Sequence, residues 1–389
     1  MDFRFTPEEE TFRADVKEFL KHELKPGWDD GFDAESEIGV EAHGDFAKNF
    51  NRKLADRGWL AIAWPEEYGG QDASVMQQVV YSEEMAYAGA PVGFNMGVAW
   101  VGPSLMLYGT DEQKSEFIPK ITNLEHTWCT LYSEPTAGSD LAAIQTKAVR
   151  DGDHYVLSGA KTFISNGQIG DLFIVVAKTD PDAVPPHSGI SLILVEGDTP
   201  GFVRGRNLEK LGLKGQDTSE LFFQDCRVPA QNLLGAEGQG FKMLMNQLQQ
   251  ERLCIAIASI ASCRRSLEDT INYVKNRKAF GRNVAAFQNT QFKIVELAAQ
   301  VEVGQAFVDK LLMAHMRGED IVSEVSMAKF WTTDLQKRLT SDCLQLHGGY
   351  GFMSEYPISG DYADAAVQSI YAGSNEIMKV IVARRLGLE

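Results

Sequence analysis

One glutamate sits where proton chemistry is possible. The segment from Leu244 to Ile255 has helical periodicity, and Leu244, Leu248, Ile255 and Ala258 fall on one stripe at i, i+4, i+11 and i+14. Glu251, at i+7, lies in the middle of that stripe. A carboxylate among apolar neighbours is costly unless it is paired or neutral. Three readings follow: a tuned proton acceptor, one half of a buried ion pair, or a helix-edge acid whose stem reaches out to water. Arg252 lies about 100° further round the helix and points away from the stripe. It reads equally as a substrate contact or as a surface charge.

Two segments stand out, and in the first of them the short residues and glycine let backbone approach a planar ligand closely. One is Tyr132-Ser133-Glu134-Pro135-Thr136-Ala137-Gly138-Ser139-Asp140, the other Lys161-Thr162-Phe163-Ile164-Ser165-Asn166-Gly167. Alone, the first also suits a plain connection between domains, and Phe163 also suits a β-domain core. Nucleotide motifs of the common kinds are missing: there is no G-x-x-x-x-G-K-[ST] loop and no G-x-G-x-x-G between a strand and a helix. Gly235, Gly238 and Gly240 imitate such a loop, but they fall where strands give way to a helix. The five cysteines have no C-x-x-C pair and the seven histidines no H-x-x-x-H or H-E-x-x-H pair, so reduced thiols are expected and no metal site.

The net charge of −17 argues against nucleic acid as a partner. It also opposes any polyanionic ligand, whose site must then be built from a few locally placed cations. No run of 18 apolar residues exists, so no membrane span is expected. The start, Met1-Asp2-Phe3-Arg4-Phe5-Thr6-Pro7-Glu8-Glu9-Glu10, is acidic and has neither signal-peptide nor transit-peptide character, which points to a cytoplasmic protein.

The elements that must hold these residues read in three blocks. Of 389 residues 44 % are hydrophobic, enough for more than one core. Residues 1–125 read as helical, with a start at Pro7, a break at Trp64–Gly70 and a short helix from Asp111 that ends near Pro119. Residues 126–236 hold short β-branched and aromatic runs separated by Gly, Pro and Asp, which suggest an antiparallel sheet or small barrel. Residues 237–389 return to helix, with long periodic segments near 240–277, 285–317 and 321–347. Gly348 ends the third, and a fourth helix starts at Ser374 with Glu376 in its first turn. The expected fold class is α+β: an N-terminal helical domain, a middle antiparallel β domain and a C-terminal four-helix bundle.

The chain resembles the flavin-dependent acyl-CoA dehydrogenases over essentially its whole length. The resemblance rests on Tyr132–Asp140, Lys161–Gly167, Arg277-Lys278-Ala279-Phe280-Gly281, and the pair Gln345-Leu346-His347-Gly348-Gly349-Tyr350-Gly351-Phe352 with Ile370-Tyr371-Ala372-Gly373-Ser374-Asn375-Glu376-Ile377. Most of that family has its catalytic glutamate where this chain has Ala372. A branch that includes the long-chain and isovaleryl-CoA enzymes has it at the place of Glu251, with a small residue at 372. Both halves of that pattern are present. The resemblance implies FAD-dependent conversion of a saturated acyl-CoA to the trans-2-enoyl-CoA. Glu251 would be the base, and the Ala372 N–H would polarise the thioester carbonyl.

It further implies that Tyr132, Ser133, Ser139, Phe163 and Ser165 face the flavin. Arg277, Phe280, Gln288, Gln345 and Gly349 would hold the cofactor across a subunit boundary, where a planar arginine fork suits a pyrophosphate. Ser374 and Glu376 would lie near its adenosine half, although Glu376 equally suits a plain helix-start acid. Ser139, Arg252, Tyr371 and Gly373 would touch substrate. A homotetramer and an electron-transfer flavoprotein as electron acceptor come with the same resemblance. Two alternatives are an acyl-CoA oxidase-like flavoenzyme on the same fold and a non-catalytic subunit of a heteromeric dehydrogenase.

Overall fold

The computed structural model describes residues 5–24, 45–92 and 95–388, except the side chains of residues 45, 47, 86 and 247–250. Met1–Arg4 of the acidic start and the Leu248 side chain of the Glu251 stripe therefore lie outside the described residues.

Thr6 caps the first helix α1 (Pro7–Glu23) through a capping box with Glu9, with Pro7 in its first turn. Helix α1 buries Val16, Phe19 and Leu20 against Phe50 and Leu54 of α2 (Asp45–Asp56) and against Trp59. Then come α3 (Val75–Tyr87), α4 (Gly102–Tyr108) and α5 (Asp111–Thr122). Helix α5 passes through Pro119 rather than ending at it. Proline removes one backbone donor, but the Thr110–Gln113 capping box and burial of Phe117, Ile118 and Ile121 outweigh that loss.

The strands are β1 (Trp128–Leu131), β2 (Lys147–Asp151), β3 (His154–Ser165), β4 (Leu172–Lys178), β5 (Ile190–Glu196), β6 (Phe202–Asn207), β7 (Thr218–Pro229) and β8 (Leu233–Leu234). They form one sheet in the order β6-β7-β3-β2-β4-β5-β8, mostly antiparallel, with β1 and β2 each parallel to β4. Along β4 the side chains alternate. Leu172, Ile174 and Val176 join a core with Trp64, Leu105 and Ile118, whereas Phe173, Val175 and Ala177 join one with Tyr155, Leu157 and Phe223. One face of the sheet is thus closed by the N-terminal helices.

Helix α6 (Gly240–Asn276) follows at once, then a small hairpin of β9 (Lys278–Ala279) and β10 (Arg282–Asn283). Helices α7 (Gln288–Met316), α8 (Val322–His347), α9 (Pro357–Gln368) and α10 (Asn375–Arg385) complete the block. Helix α9 adds one to the four helices expected. Ser359, Gly360, Asp361 and Asp364 make its sequence read as polar loop, and its helix rests on Ile358 and Ala365 packed into the bundle. Helix α6 belongs to two cores. Its first turns put Met243 and Leu244 against the sheet, and its middle puts Leu253, Ala256, Ile260 and Cys263 among α7 and α8. Glu251 stands where those two cores meet.

Candidate active site

Glu251 keeps part of its surface accessible. The α6 residues that enter the bundle core are Leu253, Ala256 and Ile260, whereas Cys254 and Ala258, one and two turns beyond Glu251, keep accessible surface. Leu244 is buried as expected, but Ile255 is only half-buried and Ala258 is exposed. Cys254 and Tyr371 retain accessible surface although protein surrounds them closely, as side chains on the wall of an internal cleft do.

The electrostatics place more groups there. Burial is the main cause of raised pKa values at Tyr132, at Cys254 (to about 11) and at Tyr371 (to about 12), and the Glu251 carboxylate adds to each. Glu251 itself lies above the ordinary carboxylate range. Desolvation dominates, and the opposing pull of Arg252 and Lys329 does not cancel it. Trp100 packs edge-on against Tyr132 at 5.5 Å between ring centres.

Arg252 corrects the helical-wheel expectation that it points away to solvent. It is buried, with 7 % of its surface exposed, and its Nε has no hydrogen-bond partner among the described residues. A wheel assumes one buried face, but α6 is enclosed on several sides by the sheet, α3, α7 and α8. The surface-charge reading of Arg252 is excluded. A buried guanidinium donor without an acceptor fits a group that a ligand completes.

Ala372 lies on the turn between α9 and α10 in the left-handed region, at φ 51, followed by Gly373 at φ 88. Lys329 of α8 is wholly buried and donates from Nζ to the Gly373 carbonyl at 2.9 Å and to Asn375 Oδ1 at 3.1 Å. Asn375 in turn donates to the Phe330 carbonyl, Thr333 Oγ1 and Asp334 Oδ1. The sequence reading missed Lys329. The available signal was its place among Val325, Ser326, Thr332, Thr333 and Gln336, all buried on α8.

The two short-residue loops are joined. Ser133 Oγ donates to the Thr162 carbonyl at 2.6 Å, and Thr162 N–H donates back to the Ser133 carbonyl at 3.0 Å. Phe163 is 69 % exposed and held at φ 59, with Asn166 at φ 61. A β-domain core role for Phe163 is thereby ruled out. Ser165 is half-buried at the end of β3, and Ser139 is exposed beside Gly138, which has open space around it.

A second cleft, of about 480 Å³, is lined by Tyr273, Arg277, Gln345, Gly348, Gly349 and Tyr350. Arg277 stacks over Tyr350 at 5.0 Å. Phe280, 96 % exposed at φ 51, and Gln288 lie nearby on the outer surface and outside this lining. Ser374 caps α10 by accepting the Ile377 N–H. Glu376 is exposed in the first turn, its pKa lowered by hydrogen bonds from its own backbone and from Ser374, as a helix-start acid behaves. Left-handed backbone costs a non-glycine residue roughly 1–2 kcal/mol. Of the eight described non-glycine residues with positive φ, Phe163, Asn166, Phe280 and Ala372 fall on the segments singled out by chemistry, while Asp72, Leu124, Leu213 and Asp225 lie elsewhere.

Three family models cover the chain: the acyl-CoA dehydrogenase N-terminal domain over residues 6–125, the middle domain over 129–226 and the C-terminal domain over 238–387. The chain belongs to the acyl-CoA dehydrogenase family. It is similar to the mitochondrial long-chain specific acyl-CoA dehydrogenase of Mus musculus, 43 % identical over 98 % of this chain and 87 % of that protein. Among solved structures it is similar to an acyl-CoA dehydrogenase from Geobacillus kaustophilus, with TM-score 0.89, 47 % identity and 98 % of both chains covered. Butyryl-CoA dehydrogenase from Megasphaera elsdenii follows the same path, with TM-score 0.86, 30 % identity, and 99 % of this chain and 100 % of that chain covered. The reaction class is FAD-dependent dehydrogenation of an acyl-CoA, and the chain is an oxidoreductase.

FAD is the cofactor that comes with the family, and the residues present suit it. Phe163 offers an uncovered aromatic face beside the Tyr132–Ser133 loop. Arg277 offers a guanidinium fork in a glycine-lined cleft that a phosphate could enter. Among the described residues no helix is long and apolar enough to cross a membrane.

Proposed function

We propose that Glu251 is the base of this reaction and removes the α-proton of a saturated acyl-CoA on the way to the trans-2-enoyl-CoA. The observation that carries this reading is the Glu251 carboxylate itself. It is desolvated enough to be a stronger base than a free glutamate, and it shares its cleft with Tyr132, Cys254 and Tyr371. Ala372 has no proton acceptor in its side chain, but its N–H is a backbone donor on the turn that also carries Tyr371. A backbone donor needs no particular side chain, so Ala372 can polarise the thioester carbonyl and make the α-proton acidic. Ser139, Arg252, Tyr371 and Gly373 complete the substrate wall in this reading.

FAD, when bound, would supply the acceptor for the β-hydrogen, which leaves as hydride. Tyr132, Ser133, Ser139, Phe163 and Ser165 orient the ring. Arg277, Phe280, Gln288, Gln345 and Gly349 hold the pyrophosphate side, with Ser374 and Glu376 toward the adenosine. Phe280 and Gln288 face outward, which suits contact with a cofactor seated on a neighbouring subunit, so the reading includes a homotetramer. Electron-transfer flavoprotein as acceptor, a cytoplasmic location and a division into residues 1–125, 126–236 and 237–389 belong to it as well. Similarity to a long-chain enzyme makes a long saturated acyl chain the first substrate to offer.

The test is Glu251→Gln, which keeps shape and removes the base. Flavin and acyl-CoA binding should persist while flavin reduction by substrate slows by about 10²–10⁴-fold or more. Bleaching at the wild-type rate would overturn the assignment. Rapid reoxidation of reduced enzyme in air would instead favour an oxidase.

A further inference from the structure

We propose that Lys329 is a positioning residue for the dehydrogenation: its buried ammonium fixes the turn that presents the Ala372 N–H, and it stands as a cationic neighbour of Glu251. The proposal rests on the assignment of Glu251 and Ala372 above.

Geometry carries the first half. Lys329 Nζ grips the turn at two points, the Gly373 carbonyl and Asn375 Oδ1. The Asn375 N–H closes the same turn onto the Ser369 carbonyl at 3.0 Å, and Tyr371 N–H reaches the Val367 carbonyl at 3.2 Å. Residues 371–375 are thus held from both ends. Among the described residues no acceptor lies within reach of the Ala372 N–H. A single left-handed residue followed by a flexible glycine has other conformations open to it. The bond to the Gly373 carbonyl selects one of them, at a position where a small misplacement of the donor is costly in rate.

Charge carries the second half. Four charged groups act on Lys329: Glu251 and Arg252 from α6, Asp334 from α8 itself and Glu376 from α10. Burial, then the Arg252 repulsion, lowers the Lys329 pKa to about 8, with the three carboxylates opposing. The group is therefore mostly protonated near pH 7 and loses its charge as pH climbs through about 8. While protonated it favours the ionised form of Glu251, the form that accepts a proton. Arg252 acts in the same direction but is not bonded to the turn.

The experiment compares the FAD-loaded wild type with Lys329→Met, Lys329→Gln and Glu251→Gln. Methionine keeps the apolar stem and removes both hydrogen bonds and charge; glutamine keeps an N–H donor group and removes the charge. Three readouts are taken: kcat and KM with an acyl-CoA, the pH profile of kcat/KM, and hydrogen exchange of the peptide holding residues 369–375. Lys329→Met should lose roughly 10–100-fold in kcat with KM little changed and faster exchange in the turn. Lys329→Gln should recover part of kcat. In both, the acid limb set by Glu251 should move up by roughly half a unit to one unit, because a nearby cation is gone. A purely structural role would not move that limb.

Wild-type kcat in Lys329→Met, or an unmoved acid limb in Lys329→Gln, overturns the proposal. If Lys329→Met does not fold, the limb in Lys329→Gln decides alone. An inert Glu251→Gln beside wild-type lysine variants sinks only the role of Lys329. An active Glu251→Gln sinks the base assignment beneath it.

Discussion

Lys161 and Glu134 form an ion pair at 2.8 Å with both side chains buried, and it ties the Tyr132–Asp140 and Lys161–Gly167 segments together. Lys161 also donates to the Tyr132 and Val176 carbonyls, and Glu134 accepts the Gln145 and Thr146 N–H groups at 2.5 and 3.0 Å. Burial pushes the Glu134 pKa up, but Lys161 and those donors outweigh it and hold it low, while burial lowers that of Lys161 to about 8. Breaking such a pair from one side leaves an uncompensated buried charge, at about 3–5 kcal/mol. Lys161→Met and Glu134→Gln should each lose stability of that order, and the double variant should lose clearly less than their sum. Urea titration of all four proteins measures the coupling, and simple additivity would deny it.

Arg277 is exposed, so truncating its side chain should barely change the stability of the flavin-free protein, within roughly 0.5 kcal/mol. If it binds the cofactor pyrophosphate, losing its charged hydrogen bonds should weaken FAD retention roughly 10–100-fold. Arg277→Ala is therefore expected to bleach on dilution or gel filtration while melting normally once stripped. Equal retention in variant and wild type refutes the role. Sedimentation of the loaded wild type tests the subunit boundary, since a stable flavin-bearing monomer leaves nothing for Arg277 to reach across.

Much of this was legible in the residues, for physical reasons that can be named. Long amphipathic runs gave α6, α7 and α8 to within a few residues, because a 3.6-residue period persists over many turns. The Ser374 cap and the Gly348 stop were read correctly from local chemistry. Helix α9 was not, because packing imposes it on a polar stretch. Glu251 stood out as an acid among apolar residues, but Lys161 and Lys329 did not, since a lysine in sequence usually means surface. Glu134 lies 27 residues from Lys161, and Gly373 and Asn375 lie 44 and 46 residues from Lys329, where no local pattern reaches.

Asp361 on α9 accepts a hydrogen bond from Ser266 Oγ on α6 at 2.6 Å, and burial raises its pKa to about 6. The Ser266 bond and Arg265 oppose that rise, while Asp269 and Asp364 add to it. A carboxyl whose folded pKa lies above its unfolded value of 3.8 adds stability that is full below pH 3.8 and lost as pH climbs through about 6. Asp361→Asn, which keeps the shape and stays neutral, should therefore match the wild type near pH 4 and exceed it at pH 7. The gain is about 2 kcal/mol once residual solvent contact is allowed for. Thermal melts at the two pH values check this, and a pH-independent difference would reject it.

The base itself should be movable. Position 372 lies on the turn that Lys329 holds, and most members of the family carry their glutamate there. Ala372 already adopts left-handed backbone at φ 51, so a glutamate in its place inherits that strain without adding to it. A carboxylate can then be aimed at the same α-carbon from either backbone. Glu251→Ala combined with Ala372→Glu should recover part of the flavin reduction lost in Glu251→Ala alone. Recovery should stay incomplete, because the desolvation and the cations around Glu251 are arranged for a side chain arriving from α6, and efficient transfer needs placement within about 0.5 Å. Acyl-length preference should narrow as well, since a glutamate fills space beside the α and β carbons that alanine leaves open. Stopped-flow reduction of the single and double variants across several acyl lengths makes the comparison. Equal residual rates, with FAD and acyl-CoA bound in both, would mean that the turn at Ala372 does not face the α-carbon.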